Sequence, residues 1–239
     1  MPAFRHGKNI TIIGDALDLS AYFNSVTVGN EVETAETTTF NSTSRSYVVG
    51  WKTGSVSFEG MFEGSTDAVD QTLSAALSSD GMMFTVATEG ATAGRRAIVL
   101  KSKQTSYDVT SPLGDVVSVS AEATSDGGLD YGVLLAAREA LTGNLTGTSV
   151  DGGAATTNGY AAHMHATANT RNGSSTIKIQ HSADNSTWVD LVTFASVSAG
   201  TPASERVVGT GTVQRYLRAV ATLAGSTGSI TITAALARR

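Results

Sequence analysis

The sequence predicts an all-β protein: a sandwich or barrel domain carrying one flanking helix, followed by a second β-sandwich. Three observations carry that reading. The 239 residues include 25 Gly but only 3 Pro, and Ser, Thr, Ala and Val fill much of the rest, a composition of many short strands and turns. Segment after segment alternates apolar and polar side chains with period two. A single stretch near the middle of the first half has helical spacing instead.

Taken in order, "ALDLSAYFNSVTVGNEVETAE" opens with Leu17, Leu19 and Tyr22, alternates at Val26 and Val28, and reads as a strand running into "VETAETTTFNSTSRSYVVG". That second segment is β-branched, yet its large apolar side chains are few: Val32, Phe40, Tyr47, Val48 and Val49. A hairpin this polar has little reason to hold its shape alone. "GWKTGSVSFEGMFEG" places Val56, Phe58 and Phe62 on one face and Ser57, Glu59 and Met61 on the other. Residues 65–80 form the expected helix. Ser65 or Thr66 is its N-cap, Asp67 and Asp70 sit in its first turn, and Val69, Leu73, Ala76 and Leu77 form its apolar stripe, with Gly81 closing it. "GMMFTVATEG", "RRAIVLKSKQTSYDVT", "DVVSVSAEATSDGG" (with Val117, Val119, Ala121 and Ala123 alternating) and the more apolar "LDYGVLLAARE" complete the first half as strands. One short helix among about six strands is a sandwich or barrel with a helix on its flank.

Between 140 and 160 the texture changes: five Gly in 21 residues and no Lys or Arg mark a linker. The expected division is a β domain over 1–143 with an arm at about 30–50, a Gly/Thr-rich linker over 144–158, and a second sandwich over 159–239. The junction at 143–153 is then a place where the chain divides into two separately folding pieces.

Several function classes are excluded or disfavoured. Charged residues make up only 15% of the chain, without long like-charge runs, which argues against intrinsic disorder. There is no cysteine, hence no disulfide framework and no thiolate metal site. The start of the chain lacks a hydrophobic signal core, and the longest purely apolar run, "VLLAA" at 133–137, is too short to span a bilayer. Sequons such as those at Asn41, Asn144 and Asn185 read as chance in a Ser/Thr-rich chain. Net charge is −5 but unevenly placed: residues 1–145 carry 17 acids against 9 bases, and 146–239 carry 4 against 7. The front half therefore lacks the basic excess that tight nucleic-acid binding needs.

Catalytic motifs are absent: no G-x-S-x-G elbow, Walker loop or H-E-x-x-H occurs. "GTGTVQ" at 209–214 reads as a turn. His163 and His165, two apart on a strand, could form a three-histidine zinc site with His181; the preferred reading has Ala162, Met164 and Ala166 facing the core and the histidines facing outward. Asp67 with Asp70 reads as a helix N-terminus, and Asp126 with Asp130 as flanking a Gly-Gly turn. Arg95, Arg96, Lys101 and Lys103 read as solvent-facing charges. Trp188 is a candidate sugar-stacking platform, though with Val189, Leu191 and Phe194 it reads more simply as core. No cofactor or metal is expected, and no enzymatic activity.

The order of features over about the first 140 residues resembles the major tail tube proteins of siphophage-type long-tailed phages. The pieces are Asp18-Leu19-Ser20, the element Glu36 to Phe40, a Ser/Thr tip with Arg45, the return through Tyr47 and Gly50, and the strand Gly54 to Gly60 ahead of a helix. The second half is similar to a β-sandwich extension appended to some of them. The resemblance implies a structural virion protein, assembled in the host cytoplasm as homohexameric rings that stack into the tube through which DNA leaves the capsid. Its implied partners are further copies of itself, a tape measure protein, and tail tip and terminator proteins, with DNA only in transit. The assembly arm would then be carried by Glu33, Glu36, Thr38, Phe40, Arg45 and Tyr47, and an acidic lumen would repel phosphate. The alternative from another class is a carbohydrate-binding adhesion module centred on Trp188.

Overall fold

The computed structural model describes residues 7–65 and 69–239; Thr66 and Asp67, expected at the helix N-terminus, lie outside the described residues. In chain order the elements are β1 (Thr11–Gly14), β2 (Leu17–Asp18), β3 (Phe23–Glu36), β4 (Tyr47–Met61), α1 (Val69–Ala76), β5 (Met82–Ala87), β6 (Arg96–Thr110), β7 (Ser118–Leu141), β8 (Leu145–Thr146), β9 (Val150–Asp151), β10 (Tyr160–Asn169), β11 (Ser175–Ser182), β12 (Val189–Thr193), β13 (Ala203–Gly209), β14 (Tyr216–Leu223) and β15 (Ile230–Arg238). The fold is all-β with one α-helix among the described residues, as the composition and alternation predict. Two compact units are drawn from interleaved segments. The first comprises the described residues up to Ala21, Met83–Val99 and Asp130–Arg239; the second comprises the described residues of Tyr22–Met82 together with Leu100–Leu129.

The second unit is a four-stranded antiparallel sheet in the order β3-β4-β7-β6, with α1 in the same unit. The β3–β4 ladder runs from Phe23↔Gly60 to Glu36↔Tyr47, and β4 pairs with the start of β7 from Ser55↔Thr124 to Met61↔Ser118. Val56, Phe58, Val119, Ala121 and Ala123 fall on one face in this register and are all buried. Phe23 packs on Phe58 with ring centroids 5.1 Å apart. Gly60 is required there: a Cβ on it would stand 2.1 Å from the Tyr22 carbonyl oxygen. The helix ends earlier than the spacing predicts. It buries Val69, Leu73 and Ala76, but single-turn bonds from Ser78 to Ala75 and Ser79 to Ala76 end it, so Leu77 leaves the stripe and is 46% exposed. Ser65 bonds the Glu63 carboxylate through both its N–H and its hydroxyl.

A second departure concerns Gly127-Gly128. The sequence reads them as a turn between two strands, whereas β7 continues through them from Ser118 to Leu141. Both glycines have positive φ, +87° and +92°, so they place a local distortion in one long strand rather than reverse the chain. β7 leaves the second unit immediately after them, at Leu129.

The first unit packs two layers. One layer is ordered β13-β10-β15-β7, followed by β6, β5, β1 and β2; the other is β12-β11-β14-β8, with β9 also on β14. Their shared core is Leu135, Tyr160, Ala162, Met164, Ile177, Ile179, Phe194, Leu217, Ala219, Ile230, Ile232 and Leu236 with their neighbours. The last strand of the chain, β15, lies between β10 and β7, paired with β7 from Ile230↔Leu141 to Ala237↔Gly132. Position 143 is thus inside this unit. The Gly/Thr-rich stretch read as a linker runs along β14: Leu145 pairs with Ala221, Gly147 N–H donates to the Ala219 carbonyl at 2.8 Å, and Gly152 N–H donates to that of Arg215 at 2.9 Å. Its glycines allow that approach, since a Cβ on Gly147 would meet the Ala219 oxygen at 2.9 Å.

Candidate functional site

The arm is the distal part of the β3–β4 hairpin, and residues 30–53 are all exposed. Its Ser and Thr side chains hold its tip. Thr37 N–H donates to the Ser46 carbonyl at 2.8 Å, and their hydroxyls meet at 2.7 Å. Ser46 N–H donates to Thr38 Oγ1, and Thr39 N–H to Ser42 Oγ. These bonds shape the tip without a core.

The structure places the six arm residues named from the sequence on this one ribbon. Glu36 and Tyr47 are direct cross-strand partners, and the Glu36 carboxylate stands 4.0 Å from the Arg45 guanidinium. That pair is largely exposed and contributes little to stability. Phe40, at the tip, is fully exposed at 112%, and Tyr47 is 53% exposed. Glu33 faces the place where β4 has two residues, Gly50 and Trp51, against its one. This bulge shifts side-chain parity, so odd-numbered Tyr47 and Val49 share the face of even-numbered Val56 and Phe58. Val28, Val32, Val49 and Tyr47 therefore continue the core's face along the exposed arm, where they alternate with Asn30, Thr34, Glu36 and Lys52. Trp51, 81% exposed, is a further arm residue that the sequence reading passed over because it sits one position beyond the polar stretch.

The opposite face of β3, β4 and the start of β7 is polar and carries acids, while the adjoining β6 alternates buried Leu100, Ser102 and Gln104 with Lys101 and exposed Lys103. Register aligns Thr27, Ser57 and Glu122 across three strands, with Ser25, Glu59 and Ser120 on one side and Gly29, Ser55 and Thr124 on the other; Glu31 follows on β3, paired with Thr53. Beside Gly29, these ten side chains include three carboxylates, Glu31, Glu59 and Glu122, and no Lys or Arg. The acid excess of the front half belongs to this unit, whose segments carry 12 acids against 4 bases.

Sequence-predicted polar groups elsewhere are mostly engaged in structure. Asp70 accepts the Tyr107 hydroxyl at 2.8 Å; burial and that carboxylate raise the phenol's pKa. Asp130 takes Arg206 and Arg239, whereas Asp126 is exposed. Arg95 pairs with Glu89 at 3.4 Å, Arg96 lies 4.5 Å over the Tyr131 ring, and Lys103 bonds Asp80. Trp188 is half-buried under the Arg218 guanidinium, 4.1 Å from its ring centroid, and Arg218 is held by Gln180. A sugar stacking on that ring face would have to displace Arg218. Val189 is 59% exposed, so Trp188 is not part of a continuous core with it.

The histidines correct an expectation. His163 and His165 do point away from Ala162, Met164 and Ala166, but that face is covered too, and both are 0% exposed. A second small cluster (Ala87, Ala97, Val99, Leu134, Ala161, Ala235 and Ala237) closes over it, so β10 is buried on both sides. Thr85 Oγ1 lies between the rings, 3.1 Å from His163 Nδ1 and 2.8 Å from His165 Nε2. His181 is elsewhere, on β11, its Nδ1 accepting the Gln214 N–H. Among the described residues no group of three or more His, Cys, Asp or Glu is placed to hold a metal ion, and no helix is long and apolar enough to cross a membrane.

No family model and no curated protein matches the chain. Solved structures similar to it include a chain of the virion of a native gene transfer agent particle, at 20% identity and TM-score 0.44, covering 54% of this chain and 98% of that one. A chain from the tail of an empty gene transfer agent particle, refined with helical and C6 symmetry, gives 19% and 0.43 over 54% and 98%. The SPP1 Dit protein, from a hub adsorption apparatus of phages infecting Gram-positive bacteria, gives 13% and 0.36 over 95% and 98%. At these values the likenesses establish no shared function.

Proposed function

We propose that this chain is a structural subunit of a phage-type tail, which closes with copies of itself into rings and stacks them into a tube that conducts DNA. One observation carries the reading: among the described residues, the second unit is a sheet with both outer edges open. β3 pairs only with β4 over its whole length. At the far side, β5 begins at Met82, whose carbonyl accepts the Ser102 hydroxyl, while β6 runs on to Thr110. Long open edges favour pairing with another chain. Two different edges on one subunit give a head-to-tail contact, which generates a ring when the rotation closes. Six copies per ring follow from the resemblance in the first 140 residues.

In such a ring the acidic face of β3, β4 and β7 bearing Glu31, Glu59 and Glu122 is the wall that suits passage of DNA, because fixed cations would bind and slow a phosphate backbone. The arm, with its exposed Val32, Phe40, Tyr47 and Val49, reaches the neighbouring ring, and the residues after 159 decorate the outside. Tape measure, tip and terminator proteins would meet the tube's lumen and ends. The test is negative-stain microscopy and light scattering of the purified chain at rising concentration. Rings or tubes with a central channel are expected; glycan binding by a permanently monomeric chain would favour the adhesion reading instead.

A further inference from the structure

The two buried histidines belong to a one-way chain of hydrogen bonds whose proton positions follow from its ends. Arg206 can only donate, so its 2.6 Å contact makes His163 Nε2 an acceptor and puts the ring proton on Nδ1. That N–H donates to Thr85 Oγ1, leaving the Thr85 hydroxyl to donate to His165 Nε2. His165 then carries its proton on Nδ1, which donates at 2.6 Å to the main-chain oxygen of Asp15. A carbonyl can only accept, so the assignment from the Asp15 end agrees with that from the Arg206 end.

The carboxylates nearest the rings are engaged by other groups. Arg206, with its side chain 9% exposed, is held by Asp130, which also takes Arg239. Across β10, Arg206 and Ala235 flank His163, while Ser204 and Thr233 flank His165. The Asp15 carboxylate, pushed above the ordinary carboxylate value by burial, accepts the Met83 N–H and a side-chain hydrogen bond from Ser204. Among the described residues no carboxylate bonds either ring. The Thr233 hydroxyl, buried beside His165, has no partner.

We propose that this chain is an acid-released latch: at neutral pH it fastens the β1–β2 corner, β5 and β13 to β10, and uptake of a proton by either imidazole opens it. A proton on His163 Nε2 points at the Arg206 guanidinium, donor against donor and cation against cation. A proton on His165 Nε2 displaces the Thr85 hydroxyl hydrogen from its acceptor. Either way a cation is left buried without an anion. Burial is the first cause that holds both rings neutral, pushing His165 down to about 4 and His163 well below the ordinary histidine value, with His165 and Arg206 adding to the latter.

The sign follows from which state binds the proton. The unfolded chain titrates near the ordinary histidine value of 6.5 and the folded one only near or below about 4, so the latch is intact above 6.5 and weakens as pH falls from there. Through that window each histidine raises the opening constant about tenfold per pH unit, and the two together about a hundredfold.

Histidine-selective 15N NMR of the full chain, in solution or as sedimented assemblies, reads the latch directly. Both rings are expected as neutral Nδ1–H tautomers at pH 7, with no protonation above pH 5. A ring titrating near 6.5, or an Nε2–H tautomer at either position, would overturn the proposal. Hydrogen exchange, corrected for its intrinsic pH dependence, should rise first at residues 11–18 and 203–209 between pH 6.5 and 4, ahead of 175–182. In H163Q/H165Q that rise should lose its roughly hundredfold slope per unit; an unchanged slope would also overturn the proposal. The wild-type titration decides the question if the double variant does not fold.

Discussion

Two phenylalanines show how position rather than residue type sets consequence. Phe58 is 1% exposed and packs against Phe23, so Phe58→Ala should cost about 3–5 kcal/mol of stability, measured by denaturant unfolding. Phe40 touches nothing that would lose contacts, so Phe40→Ser should change stability by less than about 0.5 kcal/mol. If the arm is the contact between rings, the same substitution should nonetheless weaken tube formation, seen as a higher protein concentration needed for assembly. Normal assembly by Phe40→Ser would remove Phe40 from the interface. Alternation alone identified Val56 and Phe58 as core, because one face of a half-buried strand must be apolar. It could not identify the buried histidines, because it reports which residues share a face and is silent on whether a second layer covers the other face.

At the level of elements, the alternating strands and the helix were legible, and their limits were not. Gly127-Gly128 looked like a turn because positive φ is the signature of turns, yet the same backbone conformation fits inside β7. The linker over 144–158 looked free because its side chains are small, whereas its backbone is bonded along β14. Two elements invite direct tests. Deleting 33–47 removes only exposed residues, so far-UV circular dichroism and the thermal midpoint should stay near wild type while tubes disappear. Ending the chain at 145 removes β15, which pairs with β7 over 132–141, and strips the partners of Leu135 and Ala136. The expected product is a fragment whose residues 130–141 exchange freely and which aggregates; a soluble, cooperatively unfolding fragment would show that the halves fold separately, as the composition of the junction suggested.

For the whole molecule, the sequence revealed the charge split and the arm but not the faces, since pairing register decides which acids stand together. That register gathers Glu31, Glu59 and Glu122 on one surface of β3, β4 and β7, beside Lys101 and Lys103 on β6. If this surface lines a channel, Glu59→Lys/Glu122→Lys should assemble but retain DNA. Retention should fall steeply as salt rises, because B-DNA carries a charge about every 1.7 Å of axis and stacked rings would present cations all along it. Unaltered DNA passage in the charge-reversed tube would place these acids elsewhere. The central claim is that the open edges of β3 and β6 meet between copies. A cryo-EM reconstruction of the purified chain's assemblies tests this most directly. The account predicts closed rings in which the β3 edge of one copy hydrogen-bonds the β6 edge of the next, around a lumen with a net negative wall. A monomer that never polymerises at high concentration, or an assembly in which the β3 edge stays unpaired, would contradict it.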